Sequence, residues 1–202
     1  MEKPVLTFPE DVADWVCAHY AEADVILEYG SGGSTVYGSE MEGKTIYSVE
    51  SDADWATNLQ HYLDRSPETR SHPLLQHVDV GKVGRWGRPV DNTGWRQYHK
   101  YPVSIWDREN FVQPELVLVD GLFRVACVLT TMVKTKATVE LLFDDFMNPR
   151  EDLKTVRPRW QALLDFIEPV EIKGRMAKFI IEPQSLPPEH FATALAMFFR
   201  RY

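Results

Sequence analysis

Short apolar runs alternate with helical segments along most of this chain, and that alternation restricts the fold more than any single residue does. Val25 to Glu28, Thr45 to Val49, Leu75 to Val80, Leu116 to Val119 and Thr138 to Phe143 have the length and apolar content of buried strands. Between them lie helical patterns. The first opens at Phe8-Pro9-Glu10-Asp11, with Val12, Trp15, Val16 and His19-Tyr20 at helical spacing. Others follow from Ser34, over Asp52 to Leu63 and over Val125 to Val133. Strands separated by helices build parallel β-α-β units, and right-handed crossovers stack these into one doubly wound sheet.

The C-terminal part breaks the pattern. Glu168 to Lys173 and Met176 to Glu182 flank Gly174-Arg175, a two-residue hairpin connection. The expected fold is therefore α/β and Rossmann-like, with a mostly parallel seven-stranded sheet ending in an antiparallel hairpin. A last amphipathic helix is expected after Pro187-Pro188, through Phe191, Leu195, Phe198 and Phe199. All 202 residues are read as a single domain. Gly81 to Asn110 is the exception, an insertion without periodicity that carries Trp86, Trp95, Tyr98, His99, Tyr101 and Trp106. Long irregular segments inside compact domains often serve function, so it is either a substrate-contacting loop or a locally packed cap.

Composition removes several classes. The formal net charge of -8 disfavours sequence-blind binding of nucleic acid, which depends on Lys and Arg at phosphates. No apolar stretch is long enough to span a bilayer, and Met1 to Glu10 lacks the apolar core of a signal peptide. Cys17 and Cys127 are far apart and lack a CxxC spacing, which reads as two reduced thiols in a cytoplasmic protein. The scattered His61, His72, His77, His99 and His190 show no zinc-ligand spacing. Ser31 and Ser34 do not form a G-x-S-x-G elbow, which disfavours a hydrolase.

Two groups of residues carry chemistry. The first is the turn after the first strand, Gly30, Ser31, Gly32, Gly33 and Ser34, whose small residues let a ligand approach the backbone and a helix N-terminus. Glu50 ends the second strand, where nucleotide-binding α/β folds place an acid for ribose hydroxyls. Thr35 stands where a dinucleotide fingerprint needs a small residue. Glu28 puts a carboxylate before the glycines, which repels a pyrophosphate and suits a ligand with a free amine. The second group is Asp120, Asp144 and Asp145, at the C-terminal ends of two later strands. Parallel strands aim those ends at one crevice. Carboxylates gathered there need neutralising. Either Mg²⁺ does so, or Asp120 pairs with Arg124 one turn away while Asp144 or Asp145 caps a helix.

Glu28-Tyr29-Gly30-Ser31-Gly32-Gly33-Ser34-Thr35 resembles motif I of class I S-adenosylmethionine-dependent methyltransferases, and Tyr47-Ser48-Val49-Glu50-Ser51-Asp52 resembles their second motif. Val119-Asp120-Gly121 and Leu142-Phe143-Asp144-Asp145 are similar to strand ends of small-molecule O-methyltransferases. The resemblance implies that Glu28 holds the methionine end of S-adenosylmethionine, Glu50 its ribose and Asp79 its adenine, with Gly30 to Gly33 beneath. It implies a small, hydroxylated acceptor handled by Asp120 and Asp144, with Asp120, Asp144 and Asp145 as Mg²⁺ ligands where a metal is used; His99, inside the aromatic insertion, is the candidate base. The catechol-type pattern has Asp-Asn where this chain has Asp144-Asp145, and a lysine where this chain has Phe123. The rival readings are an NAD(P)-binding oxidoreductase and a methyltransferase-like protein that binds without catalysis. The expected partner is a small-molecule acceptor, not a nucleic acid or a membrane.

Overall fold

The computed structural model describes residues 1–148 and 155–200. Its centre is one seven-stranded sheet. The strands are β1 (Val25–Tyr29), β2 (Thr45–Glu50), β3 (Leu74–His77), β4 (Leu116–Val119), β5 (Val139–Phe143), β6 (Glu171–Lys173) and β7 (Met176–Ile181), in the order β3-β2-β1-β4-β5-β7-β6. β1 pairs in parallel with β2 and β4, β2 with β3, and β4 with β5. β7 runs antiparallel to β5 and β6. The mostly parallel sheet with a terminal antiparallel hairpin is thus present. Chain order reverses direction between β1 and β4, which creates the crevice where open α/β sheets bind ligands.

Helices α1 (Glu10–Glu22), α2 (Gly33–Ser39), α3 (Ala53–Arg65), α4 (Lys100–Val103), α5 (Arg124–Lys134) and α6 (Phe191–Met197) complete the fold. The central strands are apolar on both faces because helices cover both. β4 is buried at all four positions, and α5 packs Cys127, Val128 and Leu129 behind it. On the other face Val12, Val16 and Tyr20 of α1 pack with Ile26, Leu116, Leu118 and Leu142. Asp52 caps α3, its carboxylate accepting the Asp54 and Trp55 amides.

The structure differs from expectation in three elements. β3 stops at His77 rather than Val80; beyond it Val78 and Val80 stay buried while Asp79 faces out. α6 buries Ala194 and Met197, whereas Phe191 and Leu195 are exposed, so its apolar stripe is rotated from the expected one. Part of the Gly81 to Asn110 insertion is a packed cap, while its Trp86 and Trp95 are exposed. Tyr98 and Tyr101 are buried against Phe123, and the Tyr29 hydroxyl donates to Pro102 O at 2.6 Å.

Candidate functional site

Above the C-terminal ends of β1, β2 and β4 lies a cleft of about 450 Å³. One wall is the turn after β1, from Gly30 to Ser34. Its floor is Asp120-Gly121-Leu122, and its far side is Glu50, Trp55 and Trp86. The glycines of the turn have different tasks. Gly30, at φ +102, backs onto Gly121, so that an added Cβ would meet the Gly121 amide nitrogen at 2.7 Å. A Cβ on Gly33 would strike the backbone of Val5 and Leu6, because the segment Lys3 to Phe8 forms the rim over the turn. Only at Gly32 would a Cβ point into open space. Gly30 and Gly33 therefore serve the protein's own packing, and Gly32 leaves room in the cleft.

Glu50 is nearly buried yet lines this space. Its Oε1 accepts the Ser51 and Asp52 amides at 2.7 and 2.9 Å, and its Oε2 accepts the Ser31 amide at 3.2 Å. Burial raises its pKa, and the three amides oppose that by stabilising the charge. Oε2, with one backbone donor, keeps capacity for hydroxyl donors from a ligand. Ser31 is tied in turn to Ser48 and to Trp55, whose Nε1 donates to Ser31 O at 2.8 Å.

Glu28 corrects an expectation. It is fully buried beneath the turn, with Oε1 accepting the Tyr20 hydroxyl and Oε2 the Thr35 hydroxyl, each at 2.6 Å. The Thr35 Oγ1 also accepts the Gly32 amide at 2.9 Å. Glu28 holds the turn from below and offers no face to the cleft. Burial raises its pKa against the help of these hydroxyls. This also explains Thr35, whose hydroxyl links the turn to that carboxylate.

The three aspartates are not a metal cluster. Asp144, 1% exposed, receives Arg175 through Nε and Nη2, both at 2.8 Å. Asp145 receives Arg157 at 2.6 Å, and Asp120 receives Arg124 at 3.0 Å. Among the described residues no group of three potential ligands is arranged for a metal. Repulsion is relieved by guanidinium groups, so neither Mg²⁺ nor a helix-capping role for Asp144 or Asp145 is needed. Of the three, only Asp120 lines the cleft. Its pKa is pushed up to about 7, chiefly by burial and further by the Asp144 carboxylate, against the pull of Arg124.

Two other expected residues lie elsewhere. His99 is exposed and packs its ring near Phe199, away from the cleft. Asp79 is exposed and caps its own turn by accepting the Gly81 amide at 2.8 Å. Sequence reasoning missed Lys3 to Phe8, Trp55, Arg157, Arg159, Trp160 and Arg175. Trp55 carried a signal, since it sits one turn into the helix after Glu50. Trp86, Phe123 and Asp145 have positive φ without being glycine, and all lie at this end of the sheet. Strained backbone concentrates where a site fixes its geometry.

This sheet order, with a glycine turn and an acid on adjacent strand ends, defines a methyltransferase-type Rossmann fold. No protein-family model matches the chain, and no curated protein matches it. A crystal structure of a methyltransferase-like protein from Silicibacter pomeroyi DSS-3 is 40% identical, with a TM-score of 0.87, covering 98% of this chain and 99% of that one. The O-methyltransferase of Bacillus cereus, solved with S-adenosylhomocysteine, is similar at a TM-score of 0.55 and 12% identity over 89% of this chain and 84% of that one. An RNA methyltransferase from Salinibacter ruber, also with S-adenosylhomocysteine, reaches 0.50 at 14% identity over 91% and 97%. The chain belongs to the family of the Silicibacter pomeroyi methyltransferase-like protein and has the class I methyltransferase fold. No described helix is long and apolar enough to cross a membrane.

Proposed function

We propose that this protein is an S-adenosylmethionine-dependent methyltransferase acting on a small hydroxylated molecule, with Glu50 and the Gly30 to Ser34 turn on the donor side and Asp120 on the acceptor side. The observation that carries this reading is a single cleft bordered by Glu50, by the open face of Gly32 and by Asp120. The residues fit the donor. A ribose diol suits the Glu50 carboxylate, and the backbone at Gly32 leaves space that a side chain would fill. When bound, the donor supplies a sulfonium methyl group.

The protein's own residues supply position and a proton acceptor. Asp120 takes the proton of the acceptor hydroxyl, because a carboxylate with a pKa near 7 is basic enough to accept it and still ionised in useful amount at neutral pH. Arg124 fixes Asp120 through its carboxylate and its backbone carbonyl. The net charge of -8 favours a small-molecule acceptor over a nucleic acid.

The test is titration calorimetry with S-adenosylhomocysteine, followed by transfer of a labelled methyl group to a panel of small alcohols and phenols. Wild type is expected to bind, and Glu50→Gln to bind at least about tenfold more weakly, as removal of a charge-assisted hydrogen bond predicts. Binding of NAD with none of S-adenosylhomocysteine would overturn the donor assignment. Donor binding with no transfer to any hydroxyl in the panel would overturn the acceptor class.

A further inference from the structure

Beside the cleft, and sharing Gly121 and Leu122 with it, is a second hollow of about 270 Å³. Arg88, Arg124, Arg159 and Trp160 line it. Among the described residues its charge is unbalanced. Five guanidinium groups, those of Arg88, Arg124, Arg157, Arg159 and Arg175, converge on this end of the sheet around three carboxylates. Each carboxylate already has its arginine: Asp120 has Arg124, Asp144 has Arg175 and Asp145 has Arg157. Arg88 and Arg159 have no carboxylate partner among the described residues.

Arg159 is nevertheless held in place. Its guanidinium lies 4.5 Å from the centre of the Trp160 ring, and Trp160 is itself pinned through Nε1 to Asp145 O at 2.9 Å. Stacking leaves the in-plane N–H groups free to point outward. Burial, together with the neighbouring Arg157, Arg124 and Arg88, lowers the pKa of Arg159, while Asp145 offsets this in part. Like charges kept this close, in a chain that is acidic as a whole, call for an anion.

We infer that this hollow binds an anionic group, a phosphate or a carboxylate, on the acceptor molecule, with Arg88 and Arg159 as its ligands and Asp120 facing the acceptor hydroxyl across Gly121 and Leu122. This rests on the methyltransferase reading and narrows it from a hydroxylated molecule to a hydroxylated acid or phosphate ester. A bidentate fork is the geometry that both oxyanions accept from arginine. The concave shape favours a small ligand over an extended polyanion.

The experiment measures binding of inorganic phosphate and of benzoate separately, at ionic strength held constant with potassium chloride, to wild type and to the Arg88→Gln/Arg159→Gln double variant. Both arginines are exposed, so the variant is expected to fold. Saturable binding of one probe, weakened at least about tenfold in the variant, supports the inference and identifies the oxyanion. No saturable binding of either probe, or equal binding to the variant, would overturn it. A short single-stranded RNA that binds wild type more tightly than phosphate and is lost in the variant would overturn the small-acceptor assignment. S-adenosylhomocysteine is titrated against both proteins as well. Its affinity should be unchanged, and anion binding without any donor binding would separate a failed methyltransferase reading from a sound anion site.

Discussion

The two walls of the crevice are built on opposite principles. The proposed donor wall, around Gly30 to Ser34 and Glu50, is made of backbone. Its hydrogen bonds run from amides to Glu50, and its side chains are small or absent. The proposed acceptor side, where Asp120 lines the cleft with Asp144 and Asp145 behind it, is held by long side chains in ion pairs. A backbone wall keeps its shape whether or not a ligand is present. An ion-paired wall depends on every charge keeping its partner, because an orphaned buried charge costs far more than an exposed one.

The largest expected effect follows from that dependence. Arg175→Gln strips Asp144 of both guanidinium hydrogen bonds and leaves a carboxylate that is 1% exposed. Breaking a buried pair from one side costs about 3–5 kcal/mol, and the partial exposure of Arg175 places this case near 3. For a chain of this size the melting temperature should fall by about 6–12 °C. Adding Asp144→Asn should recover part of the loss, since no charge then remains unpaired. S-adenosylhomocysteine affinity should change less than about threefold if the donor wall stands independently. A stability loss below about 1 kcal/mol, or a matching loss of donor affinity, breaks the contrast between the walls.

That contrast also explains how unevenly the sequence can be read. The donor wall is local. Gly30, Ser31, Gly32 and Glu50 come from two adjacent parallel strands, and the spacing of strand, turn and acid is visible in one short stretch. Within it, burial was hidden. Glu28 and Glu50 end neighbouring strands, yet Tyr20 from α1 closes over the first while the second keeps a face on the cleft. The acceptor wall is assembled over long separations. Asp120 with Arg124 is an i,i+4 pair and could be read directly. Asp144 with Arg175 could not, because the partner returns on the turn of the β6–β7 hairpin, where Gly174 at φ +53 reverses the chain. Without that partner in view, adjacent aspartates resemble metal ligands.

Gly32→Val tests the donor wall by an effect of middle size. Gly32 has φ 177, extended backbone open to any residue, and its added side chain would meet no protein atom within 4 Å. The ligand-free melting temperature should therefore move by less than about 2 °C. The same side chain would stand in the space proposed for the donor. S-adenosylhomocysteine affinity should fall about 100-fold, or about 2.7 kcal/mol. Destabilisation without lost affinity would mean that the glycine serves packing there, as Gly30 and Gly33 do.

The smallest effect concerns pH and addresses the one carboxylate that belongs to both walls. Asp120 lines the donor cleft and is paired within the acceptor wall. Only its ionised form can take a proton, so methyl transfer should rise with pH through about 7, with wild type near half its maximal rate at that pH. Asp120→Asn should lose this limb together with most of the rate. The stability linkage has the opposite sign. The folded-state pKa lies above the ordinary value of 3.8, so the contribution of Asp120 to stability is complete below about pH 4 and is lost as pH rises through about 7. Because Asn resembles the protonated acid, the melting temperature of Asp120→Asn should gain on that of wild type over this window. A rate limb that stays in the variant would move the proton acceptor to another residue. A limb lost with no change in the stability difference would mean that Asp120 acquires its raised pKa only with the substrates bound, and not from burial in the free protein.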